Sequence, residues 1–190
     1  MLTVLTIFIK PQKTFDYLYD QFDHQLNRRC NFLFLLAGFA SELKLLFTEV
    51  EVQHMYFTFK FFAVLFSVML GFVLYKFLIA PFLFIIGKAL KGNAELIDIR
   101  VVLAYSLIPQ LLTVPMVLYL GFNDLYGQID GLALGIVNAV NISTGLLSLN
   151  VLIRGLYQYN QYSWLKAAIN GSPFWFIGLI YLAYQISLFF

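Results

Sequence analysis

Polar positions divide the chain into five long apolar stretches: residues 31–47, 61–87, 101–120, 131–153 and 173–190. The fourth carries the most pattern. It holds no charge between Asp130 and Arg154. As a helix it would run about 35 Å, enough to cross a ~30 Å hydrocarbon core. Gly131, Gly135, Ala139 and Ser143 recur every four residues and form a ridge of small side chains. Asn138, Asn141, Gly145 and Ser148 form a second, partly polar stripe, and Val137, Val140, Leu147 and Val151 an aliphatic one. Helices in lipid associate through close approach at small residues and through side-chain hydrogen bonds. The pattern therefore predicts a central helix with neighbours on two faces and lipid on the third. The ridge is expected to meet the second or third stretch. The amides either serve packing or line a polar path.

The other stretches carry their own interruptions. Residues 31–47 are near the lower length limit for a span and include Glu42 and Lys44. Residues two apart on a helix do not face each other, so these two are not expected to pair. Lys44 can snorkel. Glu42 lies deeper, where a charge costs about 2.5–3.5 kcal/mol, so it is protonated, paired or facing water. Residues 61–87 are interrupted only by Lys76 and Pro81. At about 40 Å this helix must tilt, kink at Pro81 or extend past the bilayer. If it ends near Lys88, Lys76 reaches the depth of Glu42 and the two can pair. If it ends near Pro81, Lys76 snorkels at the interface. Residues 101–120 contain Pro109 and Pro115, with Ser106 and Gln110 as local partners for freed carbonyls.

Residues 1–30 precede the first stretch. Pro11 opens a helix with Phe15, Leu18, Phe22 and Leu26 on one face and Lys13, Asp16, Asp20 and Asp23 on the other. This short amphipathic segment either lies in the membrane interface or packs beneath the bundle. The apolar run at 1–9 has no basic leader and no cleavage site, so a cleavable signal is not expected. Between the last two stretches, Ser163 is placed to cap a short helix that Gly171 ends, and Ser172-Pro173 starts the final one.

Composition turns these stretches into membrane spans. Hydrophobic residues make up 61 % of the 190 positions and charged residues 12 %, against about 25 % charged in a soluble domain. The mean hydropathy is +0.82. The expected fold is an all-α polytopic integral membrane protein with five transmembrane helices, residues 31–190 forming one membrane domain. Lys10, Lys13, Arg28, Arg29, Lys88, Lys91, Arg100, Arg154 and Lys166 fall on one side of such a layout and Lys60 on the other. The positive-inside rule then makes the amino terminus cytoplasmic and the carboxy terminus external.

Catalytic chemistry is not expected. No His-Glu-x-x-His motif, Gly-rich phosphate loop or Gly-x-Ser-x-Gly turn occurs, and His24 and His54 fall on opposite sides of the five-span layout. The single cysteine, Cys30, excludes an intrachain disulfide. Catalytic residues, metal ligands and cofactors are therefore expected to be absent, and the scattered basic residues point away from nucleic acid.

Three short stretches carry a family resemblance. Ala104-Tyr105-Ser106-Leu107-Ile108-Pro109 resembles the Tyr-Ser-Leu-x-Pro stretch in a middle span of the Ypt/Rab-interacting-protein (Yip) domain family, so Tyr105, Ser106 and Pro109 are its motif positions. Pro11-Gln12-Lys13-Thr14-Phe15 resembles the opening of the prokaryotic branch. Ile153-Arg154-Gly155-Leu156, with Ser163 and Lys166-Ala167, resembles that branch's segment between the last two spans. The resemblance implies a multispanning protein that acts by interaction. Eukaryotic members bind Rab-type GTPases in vesicle traffic, and some prokaryotic members resemble accessory components beside ABC exporters. The short amino-terminal segment matches the prokaryotic type, which implies a bacterial cytoplasmic (inner) membrane.

Two functions follow as expectations. One is a non-catalytic scaffold or accessory subunit in membrane trafficking or transport, surrounded by lipid and paired with a membrane-protein partner or with itself. The alternative is a small transporter or lipid-translocating bundle, with Glu42, Lys76, Asn138, Asn141 and Ser148 along the route.

Overall fold

Pro11 divides the amino-terminal region into two helices in the computed structural model, which describes residues 2–47, 57–122 and 131–187. Helix α1 spans Leu2–Ile9 and α2 spans Pro11–Tyr19. The Thr14 hydroxyl ties them across the bend, lying 2.9 Å from Thr6 Oγ1 and 3.3 Å from the Lys10 carbonyl oxygen, with its one proton available to either. The amphipathic pattern does not continue unbroken to Leu26. Phe22 takes an extended backbone as the cap of α3, Asp23–Glu42, and its ring is 73 % exposed. α3 passes residue 30 without a break and tightens into a 3-10 turn at Leu43–Leu46. The end of the amphipathic segment and the first apolar stretch are thus one helix, and the boundary expected at residue 30 falls inside it.

Helix α4, Phe57–Val73, widens into a π-helical segment, Leu74–Ile79, before α5, Ala80–Ala89. Pro81 cannot donate to the residue four before it. The chain accommodates this by shifting register ahead of the proline, with Ala80 N–H bonded to the Tyr75 carbonyl. The third stretch shows a related effect. Pro109 is the second residue of a 3-10 segment, Ile108–Thr113, which lies between α6, Leu96–Ser106, and α7, Val114–Phe122, the helix that carries Pro115. Ser106 Oγ donates to the Leu103 carbonyl at 2.7 Å, which is not the carbonyl four residues before either proline. Helix α8, Gly131–Asn160, runs seven residues past the expected end at 153 and stops where Gln161 turns to φ 53°. α9, Trp164–Asn170, starts after Ser163 and stops at Gly171 as anticipated, although the Ser163 side chain makes no capping bond. α10 is Ser172–Ser187.

The described residues contain no strand. Thr58–Ala89, Leu96–Gly121 and Gly135–Asn160 are long and apolar enough to cross a membrane. α10 has only 16 described residues, and α3 carries Asp23, Arg28 and Arg29 in its first turns. The chain is an integral membrane protein with at least these lipid-compatible helices.

The most buried of the three is Leu96–Gly121, at 50 % of its apolar window, against 22 % for Gly135–Asn160. The centre of the bundle is therefore the α6 segment and not α8. α6 is apolar on every side, Val101 to Tyr105 being buried without interruption. It packs on α3, α5 and α8. α3 meets α4 through small residues, Gly38 lying against Val68. The dense core is built from α1, α2, α3, α5, α6, α9 and the last turns of α8. Away from it, Phe62, Phe66, Phe77, Leu78, Phe82 and Ile85 form an outward apolar strip along α4–α5.

α2 belongs to that core. Phe15 and Leu18 are fully buried, worth about 1.5–3 kcal/mol each. Gln158 of α8 donates to the Gln12 carbonyl at 3.2 Å and to the Asp16 carboxylate. α2 packs on the bundle, and its partner there is α8.

Candidate functional site

The stripe Asn141, Gly145 and Ser148 opens onto a cavity of about 490 Å³ between the α6–3-10 segment, α8 and α10. Small-molecule sites occupy roughly 300–1,000 Å³. Apolar walls come from Leu103, Leu107, Ile142, Leu149, Leu152 and Phe174. Ser106, Gln110, Asn141 and Ser148 supply the polar positions, and Tyr75 and Trp175 also line the space. α10 is held mainly at its start, where Trp175 Nε1 donates to the Ala168 carbonyl at 3.0 Å. Beyond that anchor it stands off α8, and a Cβ added at Gly145 or Gly178 would meet nothing within 4 Å.

The polar groups of the cavity are unequally satisfied. Ser106 is bonded to its own helix. The Gln110 and Asn141 amides find no partner among the described residues. Gln110 thus does not serve the proline-freed carbonyls. Ser148 Oγ is buried in the wall with no hydrogen bond. Asn138 is half-buried on α8 and is not part of the lining. No lining residue carries a charge.

The small-residue ridge faces elsewhere. Ala139 and Ser143 are exposed, and a Cβ at Gly135 would touch nothing within 4 Å. Gly131 opens α8, but its surroundings lie outside the described residues. The contact expected between this ridge and the second or third stretch is not made within the chain. At about 100° per residue, Thr144, Val151 and Gly155 lie on the opposite side of α8 from the ridge; all three are buried, as are Leu152, Leu156, Tyr159 and Asn160 in the last turns. α6 takes the side with Gly155, where a Cβ would lie 2.6 Å from Val102 Cγ1.

That notch is also where α2 arrives. The Phe15 ring lies edge-on to Tyr105 at 6.4 Å and to Tyr159 at 5.8 Å between centroids. Tyr159 Oη donates to the Phe15 carbonyl at 3.3 Å. A Cβ on Gly155 would come within 2.9 Å of Phe15 Cζ. Pro109 is buried one turn beyond Tyr105. Three sequence stretches far apart in the chain thus form one knot under the cavity. The Yip1 domain family matches the chain over residues 5–185. The chain belongs to the Yip1 domain family. No curated protein and no solved structure matches it. In this Yip1-family chain the stretches carrying the resemblance are not scattered surface signatures; they meet around Phe15.

Glu42 and Lys76 are not brought together. Tyr75 stacks on Phe34 of α3 at 5.9 Å, and Gly38 lies against Val68. This antiparallel register puts Lys76 level with the first half of α3 and Glu42, at its end, beyond Val68. The Lys76 ammonium lies 5.3 Å from the Phe72 ring and 5.4 Å from the Phe77 ring, and its field acts on buried Cys30 together with that of Arg100. The depth match fails because α3 begins at Asp23, well before residue 31. The Lys44 side chain lies outside the described residues. No group of three or more His, Cys, Asp or Glu placed to hold a metal occurs among the described residues.

A second polar cluster escaped the sequence reading. The α5–α6 turn locks into the α8–α9 turn through fully buried Asn170 and nearly buried Asn160. Asn170 Nδ2 donates to Tyr162 Oη at 2.7 Å, Asn93 N–H to the Asn160 carbonyl at 3.1 Å, and Lys166 Nζ to the Leu90 carbonyl at 3.0 Å. Burial raises the Tyr162 phenol above its ordinary value, and the Asn170 bond partly offsets this. Gly92 is indispensable here, since a Cβ would stand 2.1 Å from Asn160 Oδ1. The only trace in the sequence is the Gly-Asn pair after Lys91.

Proposed function

We propose that the protein is a non-catalytic scaffold or accessory subunit in membrane trafficking or transport. It holds a membrane-protein partner, or a second copy of itself, against the outer face of α8. The observation that supports this reading is the open ridge on α8: Ala139 and Ser143 are exposed, a Cβ at Gly135 would meet nothing within 4 Å, and the other side of the helix is packed. Small residues of this kind let backbones approach closely in lipid. The reading includes five crossings, a cytoplasmic amino terminus, an external carboxy terminus, and the prokaryotic branch of the family in a bacterial cytoplasmic membrane. Its support is the one-sided distribution of Lys and Arg.

Co-purification from mild detergent tests the proposal. A stoichiometric partner or a homodimer is expected with the native chain and lost with Gly135→Leu, while the melting temperature stays unchanged. A lone monomer that carries flux in liposomes would overturn it in favour of the transporter or lipid-translocating alternative. Reporter fusions at the two termini test the orientation, and both ends on one side would exclude five spans.

A further inference from the structure

We propose that the cavity between α6, α8 and α10 is a binding site for one uncharged lipid, a hydrocarbon chain bearing hydroxyl or ester oxygens, as in a diacylglycerol. Leu146, Ile177 and Leu179 of the lining are 63 %, 65 % and 52 % exposed, and such apolar side chains on a membrane protein suit contact with hydrocarbon. The lining from Asn141 to Leu152 extends about 16 Å along α8. That length suits a chain segment and not a compact solute.

Polarity selects the class of lipid. The Gln110 and Asn141 amides face the space without partners among the described residues. An amide in hydrocarbon is costly unless bonded, so the occupant supplies donors and acceptors. No lining residue is charged, so a phosphate brought into this apolar space would find no counter-charge in its walls. Hydroxyl and ester oxygens on an uncharged lipid meet both conditions. The glycines make room: Gly145 and Gly178 leave the volume that a larger side chain would fill.

The inference does not rest on the scaffold reading, since it is read on the protein alone. Trp175 lines the cavity and Trp164 is the only other tryptophan. In a Trp164→Phe background, Trp175 emission in phosphatidylcholine nanodiscs reports chain contact. A diacylglycerol with a brominated acyl chain is expected to quench it saturably at a few mole per cent, while a phosphatidylcholine with the same chain quenches only in proportion to its mole fraction. Gly178→Leu, which fills open space, should weaken the saturable component at least tenfold at unchanged melting temperature. Gln110→Leu with Asn141→Leu should abolish the preference for diacylglycerol. Proportional quenching by both lipids, unaffected by Gly178→Leu, would overturn the site. Saturable quenching by phosphatidylcholine alone would overturn the choice of an uncharged lipid.

Discussion

Phe15 and Gly155 form a ring-and-notch pair: the Phe15 Cζ atom lies 2.9 Å from where a Gly155 Cβ would be. This joins α2 to the α6–α8 crossing, because the same Cβ would press on both methyls of Val102. Phe15→Ala should cost about 3–5 kcal/mol, and Gly155→Ala about 1–3 kcal/mol by overpacking. Cys30 supplies the readout. It is the single cysteine and is 1 % exposed, so a thiol-reactive dye labels it only on unfolding. Both variants are expected to lower the labelling temperature. An unchanged midpoint for Phe15→Ala would mean that α2 is not part of the folded core.

Gly92→Ala should destabilise more than Gly71→Ala. A Cβ at Gly92 would lie 2.1 Å from Asn160 Oδ1 and 2.9 Å from the Gly87 carbonyl, whereas Gly71 has open space. The first substitution opens the clasp between two turns and exposes Asn160 and Asn170. The second sits on an apolar, outward-facing helix and should leave the stability within about 0.5 kcal/mol of native. Equal effects would remove the structural role assigned to the clasp.

Glu42→Gln and Lys76→Met should give additive changes. The Phe34–Tyr75 stack and the Gly38–Val68 contact place the two charges at different levels of the α3–α4 pair. Distant sites add within about 0.3–0.5 kcal/mol. Recovery in the double mutant, measured by the same thiol-labelling melt, would show that they interact after all.

Tyr162 predicts a pH response in the alkaline range. Burial raises its phenol above 10.0 in the folded protein, so the fold favours the protonated form. Its contribution is complete below pH 10 and is lost as pH rises through the raised value. Tyr162→Phe should therefore flatten the alkaline limb of the stability curve, while lowering stability at pH 7 by about 0.5–1.5 kcal/mol through loss of the Asn170 bond. An alkaline limb identical to the native one would assign that response to other groups.

The all-helical membrane class and the approximate course of the apolar stretches were legible from the residue pattern alone. Lipid demands long uncharged helices and satisfied backbone, and those demands are written locally, in runs such as 131–153 and in the Pro109–Pro115 spacing. The short α9 was equally legible, because Ser163 and Gly171 are neighbours of the helix they bound. The partnership of Phe15 with Gly155, the clasp of Asn160 over Gly92 and the register that separates Glu42 from Lys76 were decided only in three dimensions. Each depends on which helix faces which, and a small-residue ridge or polar stripe does not specify its partner. On α8 the two stripes had equal claims to an internal contact. The notch at Gly155 turned the helix towards α6, leaving Gly135 outside and Asn141 over a cavity.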